Sequence, residues 1–314
     1  MKLLYAGLLL ASAALTSNMA FAGEDFPNKD ITIVVQYATG GGTDSFIRAL
    51  EKPLEDAFGV GVAVRNIAGG GGVVGMMQVL ASKPDGYTVA VANNAFYTLV
   101  GMGNVTFSLD DFDYIAAVGM EPYVLAAKAS DKWEDYDGFL KYAKENPIRL
   151  GFAGVGSSTH IMAMAMTEEL GLNVQFVPYG GASEAAAAAL GGHIEGVVLS
   201  PADLVSAMEG DSGLVPIVSS GPSSLIKDVK TTKDLGLNLS VQQWRGFAAP
   251  AGVDPEVKKA WQTAIEKAVK DPKFIQASQN LGVEVSPIFG EKLKAFMDEG
   301  ERVMVPLAQK VAAQ

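Results

Sequence analysis

A chain of 314 residues with 49% hydrophobic and 19% charged residues is long enough for one large or two ordinary globular domains, and too apolar to be disordered. Its formal charge of -11 lacks the basic footprint that nucleic acid or an anionic membrane surface requires, so neither is expected as a partner. With no cysteine it has neither a disulfide nor a thiol to carry a lipid, and burial must supply its stability.

The chain opens with Lys2, an uncharged and mostly apolar run over 3–15, and Ala20-Phe21-Ala22. This pattern predicts a signal peptide over 1–22, cleaved near Ala22, and a periplasmic mature protein that begins near Gly23. The apolar run is short for a bilayer span, and no later stretch stays apolar long enough to be one.

A β-branched run predicts a strand over 31–36, which enters Ala38-Thr39-Gly40-Gly41-Gly42-Thr43-Asp44 and a helix over 45–58. A strand over 60–66, the cluster Gly69-Gly70-Gly71-Gly72 and a helix over 75–82 repeat the unit. Pro84-Asp85-Gly86 predicts a turn before a strand over 87–92. A second block has strands over 115–119 and 123–128, a helix over 133–145, and a strand over 150–153. That strand enters Gly154-Val155-Gly156-Ser157-Ser158-Thr159-His160 and a Met- and Ala-rich helix to Leu170. A strand over 174–177, the loop Pro178-Tyr179-Gly180-Gly181-Ala182-Ser183, an alanine-rich helix to Leu190, and strands over 194–199 and 214–219 complete the block. The last part predicts a strand over 245–249, a helix over 255–270, a short strand over 283–286 and a final helix from Glu291. Strand alternating with helix predicts an α/β fold with parallel sheets covered on both faces.

In such sheets ligands sit beyond the carboxyl ends of the strands, where loops lead into helix N-termini. The glycine loops occupy those positions. Glycine lets the backbone approach a ligand closely, and successive N–H groups make a nest for an anion. Several such loops facing one cleft can bind a carboxylate without an arginine.

Other chemistry has less support. Gly70-x-Gly72-x-x-Gly75 matches the dinucleotide fingerprint, but it follows the second strand, and the next strand ends in Asn93-Asn94 where an acidic ribose ligand belongs. No phosphate-binding GxxxxGK[ST] and no GxSxG elbow is present. Only His160 and His193 are available, so no catalytic residue, metal or cofactor is expected. His160 stands at a helix start, where bonding a ligand and capping its own loop are both open. His193 reads as solvent-facing in a turn. The Asp110-Asp111-Phe112-Asp113 cluster lacks the spacing of a calcium loop and reads as a solvated loop. Met162, Met164 and Met166 cannot share one helix face, and Trp133, Trp244 and Trp261 read as packing, with Trp244 a candidate to border a cleft.

These segments together resemble a known family. Phe26-Pro27, Gly40-Gly41-Gly42-Thr43-Asp44 with Arg48, Val64-Arg65-Asn66, Pro84-Asp85-Gly86-Tyr87-Thr88, the loop from Gly154 to His160, Val177-Pro178-Tyr179-Gly180-Gly181, Ala189-Leu190-Gly191-Gly192 and Trp244-Arg245-Gly246-Phe247 through Gly252 stand in the order of the periplasmic substrate-binding proteins of tripartite tricarboxylate transporters, the Bug family. The resemblance implies a two-lobed type II periplasmic-binding-protein fold, each lobe a mainly parallel sheet flanked by helices. One lobe would hold 23–122 and 244–314, the other 123–243. It implies capture of a small organic carboxylate, such as a di- or tricarboxylate, and delivery to membrane permease subunits, by a monomer. Carried over, the ligand-binding residues are Tyr37, Thr39, Gly42, Thr43 and Asp44 in the first loop, and Ser157, Ser158 and Thr159 in the second. Tyr179, Gly180 and Ala182 line the cleft from a third loop, with Ser200 and Asp203 beyond them and Asn94 from the first lobe. Thr39 stands where the family usually has proline, Ile67-Ala68-Gly69 where a proline–glycine pair is usual, and Ser200-Pro201 interrupts a segment that is more often Asp-bearing. Presentation of the ligand to a sensor kinase of a two-component system is the alternative role. An acyl-transfer reading through Ser157 or Ser158 with His160 lacks an acid to orient the histidine.

Overall fold

The computed structural model describes residues 26–313 apart from 131, 134, 208–212, 227, 238 and 240. The predicted signal peptide and Gly23 lie outside the described residues. The strands run β1 (Ile31–Val35), β2 (Val62–Asn66), β3 (Thr88–Ala92), β4 (Phe112–Pro122), β5 (Val124–Lys128) and β6 (Ile148–Phe152). They continue as β7 (Val174–Pro178), β8 (Gly196–Leu199), β9 (Leu214–Ser219), β10 (Gln242–Pro250) and β11 (Glu284–Ile288). Two sheets result, with strand orders β11-β4-β10-β3-β1-β2 and β7-β6-β8-β5-β9.

The helices are α1 (Gly42–Phe58), α2 (Val73–Leu80), α3 (Ala95–Gly101), α4 (Tyr136–Glu145) and α5 (Ser158–Leu170). After them come α6 (Ala182–Leu190), α7 (Pro201–Ala207), α8 (Pro255–Ala268), α9 (Pro272–Leu281) and α10 (Gly290–Ala312). None is long and apolar enough to cross a membrane among the described residues.

The period of two in the strands explains the layers. Ile33 and Val35 of β1, Val89 and Val91 of β3 and Phe247 and Ala249 of β10 face one core with α1 and α8. The intervening Val34, Ala90, Ala92 and Ala248 face a second core with α2, α3 and α10. In the other sheet, Leu125 and Ala127 pack under α4 and α5, while Val124 and Ala126 pack under α6. Both sheets are therefore covered on both faces, as continuous apolar strands require.

The sheets are mixed rather than mainly parallel. β1 pairs parallel with β2 and β3, and β6 with β7 and β8, through helical crossovers. β10 instead runs antiparallel to β3 and β4, and β5 antiparallel to β8 and β9. The reason is connectivity. β4 leaves the first sheet through Tyr123 straight into β5, and β10 returns from the second sheet, so the two crossing strands point in opposite directions. Asn94 joins both crossings, its Nδ2 donating to the Tyr123 hydroxyl at 2.8 Å and to the Gln242 carbonyl at 2.9 Å.

Three helices escape the sequence reading. α3 and α7 are seven residues each and largely buried, so neither shows a helical stripe. α9 carries a legible start signal, Asp271 accepting from Lys273 and Phe274 N–H with Pro272 at the first helical position, and stops at left-handed Gly282. α10 lies close along α3: a Cβ at Gly101 would stand 2.7 Å from the Val305 carbonyl, so that crossing needs glycine.

Candidate functional site

β1 and β6 each deliver the chain to a helix start. The first N–H groups of a helix have no partner within it. At α1, Gly41 is the N-cap and gives no side-chain cap, and Gly42 N–H donates instead to Asp203 Oδ1 of α7 at 2.5 Å. At α5, Ser157 is the N-cap, its hydroxyl accepting from His160 N–H at 3.2 Å and lying 3.0 Å from Thr159 Oγ1. Thr159 Oγ1 also accepts from Ala153 N–H at 3.0 Å, which folds the loop back on β6.

The two helix starts face one small cavity of about 20 Å³, room for about one water. Tyr37, Thr43 and Asp44 line it from the first loop and α1, and Ser157, Ser158 and Thr159 from α5. Asn93 of the β3 end, Ala182 of α6, Asp203 of α7 and Gln243 of β10 complete its polar and small-residue wall. Thr43, Asp44, Ser158 and Thr159 stand in first helical turns, so their N–H groups and the positive helix ends favour negative charge here.

A fully buried ion pair lies behind this wall. Arg245 of β10 bonds Glu121 of β4, and neither side chain is exposed. Arg245 Nε donates to Thr43 Oγ1 at 3.0 Å and Nη2 to Ser200 Oγ at 3.3 Å. Glu121 also accepts from Ala202 N–H. Because Thr43 Oγ1 accepts from the guanidinium, its own proton is free to turn to the cavity. Ser200 in turn donates to Asp203 Oδ2 at 2.9 Å. Burial lowers the Arg245 guanidinium to about 9, which leaves it charged at neutral pH. Burial also raises the Asp203 carboxyl above the usual range, against the opposing hydrogen bonds from Gly42 N–H and Ser200.

Asp44, 4% exposed, is held differently. It accepts from Gly40 N–H at 2.9 Å, Arg48 Nε at 3.0 Å and Asn66 Nδ2 at 2.9 Å. Tyr37 lies within hydrogen-bond reach of Asn93, with its hydroxyl 3.1 Å from Asn93 Nδ2, and burial pushes it up to about 12.

The model of the tripartite tricarboxylate transporter family receptor matches residues 46–312. The chain belongs to this family. Protein BugT of Bordetella pertussis (strain Tohama I) is 28% identical over 279 residues, which cover 86% of this chain and 85% of BugT. The periplasmic binding protein BugD superposes with a TM-score of 0.85 at 25% identity, covering 92% of this receptor and 99% of BugD. MatC of Rhodopseudomonas palustris with bound malate has the same fold, with a TM-score of 0.80 at 20% identity over 90% of this chain and all of MatC. The receptor is thus a two-lobed α/β protein of the periplasmic-binding type.

Most of the predicted contacts converge in this receptor. Tyr37, Thr43, Asp44, Ser157, Ser158, Thr159, Ala182 and Asp203 line the cavity. Gly42 and Ser200 stand one layer behind, as donors to Asp203 and acceptor from Arg245. Thr39 does not line it. It is exposed at the loop tip, and its carbonyl accepts from Ser183 Oγ at 3.4 Å. Tyr179 packs beside α6 and Gly180 N–H donates to Glu184 at 2.9 Å, both outside the cavity. Asn94 is committed to the crossings, and its neighbour Asn93 takes the cavity position.

Gln243, Arg245 and Glu121 went unread as site residues. A lone Arg within the apolar run Trp244 to Pro250, and a lone Glu in Met120-Glu121-Pro122, are the legible signal, since a charge in a buried strand needs a partner. Trp244 points to the opposite face of β10, against Tyr97 and Phe296, and does not border the cavity. His160 caps its own loop: its Nδ1 accepts from Gly156 N–H at 3.2 Å and its ring stacks on Phe152. The glycine cluster serves close packing. A Cβ at Gly75 would stand 2.7 Å from Gln36 Cβ, and Gly71 at φ 67 abuts the backbone of Gly154 to Ser157. Met162 and Met166 are core, and His193 is exposed. Asp113 departs from the solvated-loop reading, for it accepts from Gly252 and Val253 N–H and pairs with Lys258 at 2.9 Å.

Proposed function

We propose that this receptor captures a small organic carboxylate between the N-termini of α1 and α5 and presents it to the membrane permease subunits of a tripartite tricarboxylate transporter. The observation that carries the reading is the meeting of those two helix starts, one from each sheet, at a single cavity. A fold relative with malate bound supports the ligand class. The lobes are 26–122 with 244–313, and 123–243, hinged at Tyr123 and near Gln242, and the receptor acts as a monomer after export and removal of its signal peptide.

The cavity of about 20 Å³ is too small for an organic acid, so entry requires the lobes to part. The carboxylate then accepts N–H and hydroxyl hydrogen bonds from both lobes, and only the closed form satisfies it. Binding therefore drives closure, because a ligand shifts an equilibrium by its differential affinity for the two states. A thermal-shift panel of mono-, di- and tricarboxylates tests this. At least one acid raises Tm, since ligand at a hundred times Kd adds about 2.7 kcal/mol. A shift from neutral sugars or amines alone would sink the idea.

A further inference from the structure

The cavity has two sides of opposite chemistry. α5 and its N-cap bring the hydroxyls of Ser157, Ser158 and Thr159 and the first-turn N–H groups of Ser158 and Thr159, and no acidic group. Facing the same space are two carboxylates, Asp44 and Asp203, and Gln243, which is 4% exposed and whose Oε1 has no hydrogen-bond partner.

The two carboxylates are not equivalent. Asp44 is matched by the Arg48 guanidinium. Asp203 accepts only from neutral groups, Gly42 N–H, Ser200 N–H and Ser200 Oγ, and among the described residues no cation lies within ion-pair distance of it. Arg245 is committed to Glu121, Thr43 and Ser200. A carboxylate 6% exposed without a counter-charge is costly, and so is an orphaned amide oxygen. One hydrogen-bond-donating cation on the ligand answers both.

We propose that Asp203, with Gln243 lining the same cavity, is the specificity-determining acceptor for a protonated amine, so that the site takes an amino-bearing carboxylate over the plain acid of the same length. The proposal rests on carboxylate capture as described above. The ligand carboxylate sits on the donor side at α5, and its ammonium group sits on the acceptor side. A plain dicarboxylate brings a second negative charge to that acceptor side and is rejected by like-charge repulsion.

The test is isothermal titration of the mature receptor with matched pairs: aspartate and succinate, glutamate and glutarate, 2-aminobutyrate and butyrate. The amine-bearing member of the best pair binds about tenfold or more tightly, equivalent to about 1.4 kcal/mol. Asp203→Asn, which keeps the shape, erases the preference by weakening the amine-bearing member at least about tenfold more than the plain acid. Gln243→Leu narrows it in the same direction and serves if the first variant does not fold. Equal or tighter binding of the plain acids by the wild-type receptor overturns the proposal while leaving carboxylate capture standing. A variant that folds and weakens both members alike also overturns it. Binding of neither member of any pair overturns the capture reading itself.

Discussion

Gly42 N–H donates to Asp203 Oδ1 at 2.5 Å, and a Cβ on Gly42 would stand 2.6 Å from both Ala202 Cβ and Asp203 N. The first turns of α1 and α7 thus meet backbone to backbone, and glycine is what the approach allows. Gly42→Ala should force α7 away from α1 while leaving each sheet intact. Titration with the best carboxylate is expected to show at least about tenfold weaker binding, or about 1.4 kcal/mol, with an unchanged far-ultraviolet circular dichroism spectrum.

Gly71 predicts a related effect through a different contact. It has φ 67, and a Cβ on it would stand 2.4 Å from the Val155 carbonyl oxygen in the loop before α5. Gly71→Ala adds both a left-handed strain and a clash with that loop. Small-angle scattering should report a larger radius of gyration for Gly71→Ala with ligand present than for the wild type. An unchanged radius would mean that this contact does not limit closure.

The Arg245–Glu121 pair makes a stability prediction. Arg245→Met leaves Glu121 buried and unpaired, which costs about 3–5 kcal/mol in urea unfolding. The double variant Arg245→Met/Glu121→Met should recover most of that loss, because apolar residues of similar volume replace a buried pair at little cost. Ligand affinity should stay low in the double variant, since Thr43 loses the donor that fixes its hydroxyl.

His160 gives the pH dependence a sign. Burial lowers it from 6.5 to about 4, so the unfolded chain takes up a proton that the folded protein refuses. Its contribution is fully present above about 6.5 and is lost as pH falls through about 4. His160→Asn keeps a side-chain acceptor and removes the titration. Melts between pH 7 and pH 4 should show a smaller fall in Tm for the variant than for the wild type.

How much of this was legible in the sequence depends on how far each residue acts. The β-branched run at Ile31 to Val35 and the Gly-Thr-Asp that follows are local signals, and both gave their element and their place at the site. Ser157 to Thr159 were readable because an N-cap serine announces a helix start. The mixed sheet was not readable, since the direction of β10 is set by two chain crossings rather than by its own residues. Asn93 and Asn94 are neighbours of the same type, and only the position of Tyr123 and Gln242 decides which one faces the cavity. Arg245, Glu121 and Asp203 come from β10, β4 and α7, so their network exists only once the two sheets are packed.

If the N-termini of α1 and α5 close on a ligand carboxylate, a crystal structure of the receptor with its tightest-binding acid will hold that carboxylate between them. Carboxylate oxygens should lie about 2.7–3.2 Å from first-turn N–H groups of α5 and from the Thr43 hydroxyl, with both lobes in contact with the ligand. A ligand seated instead in the groove between α9 and β11, with the cavity between α1 and α5 unchanged, would contradict it.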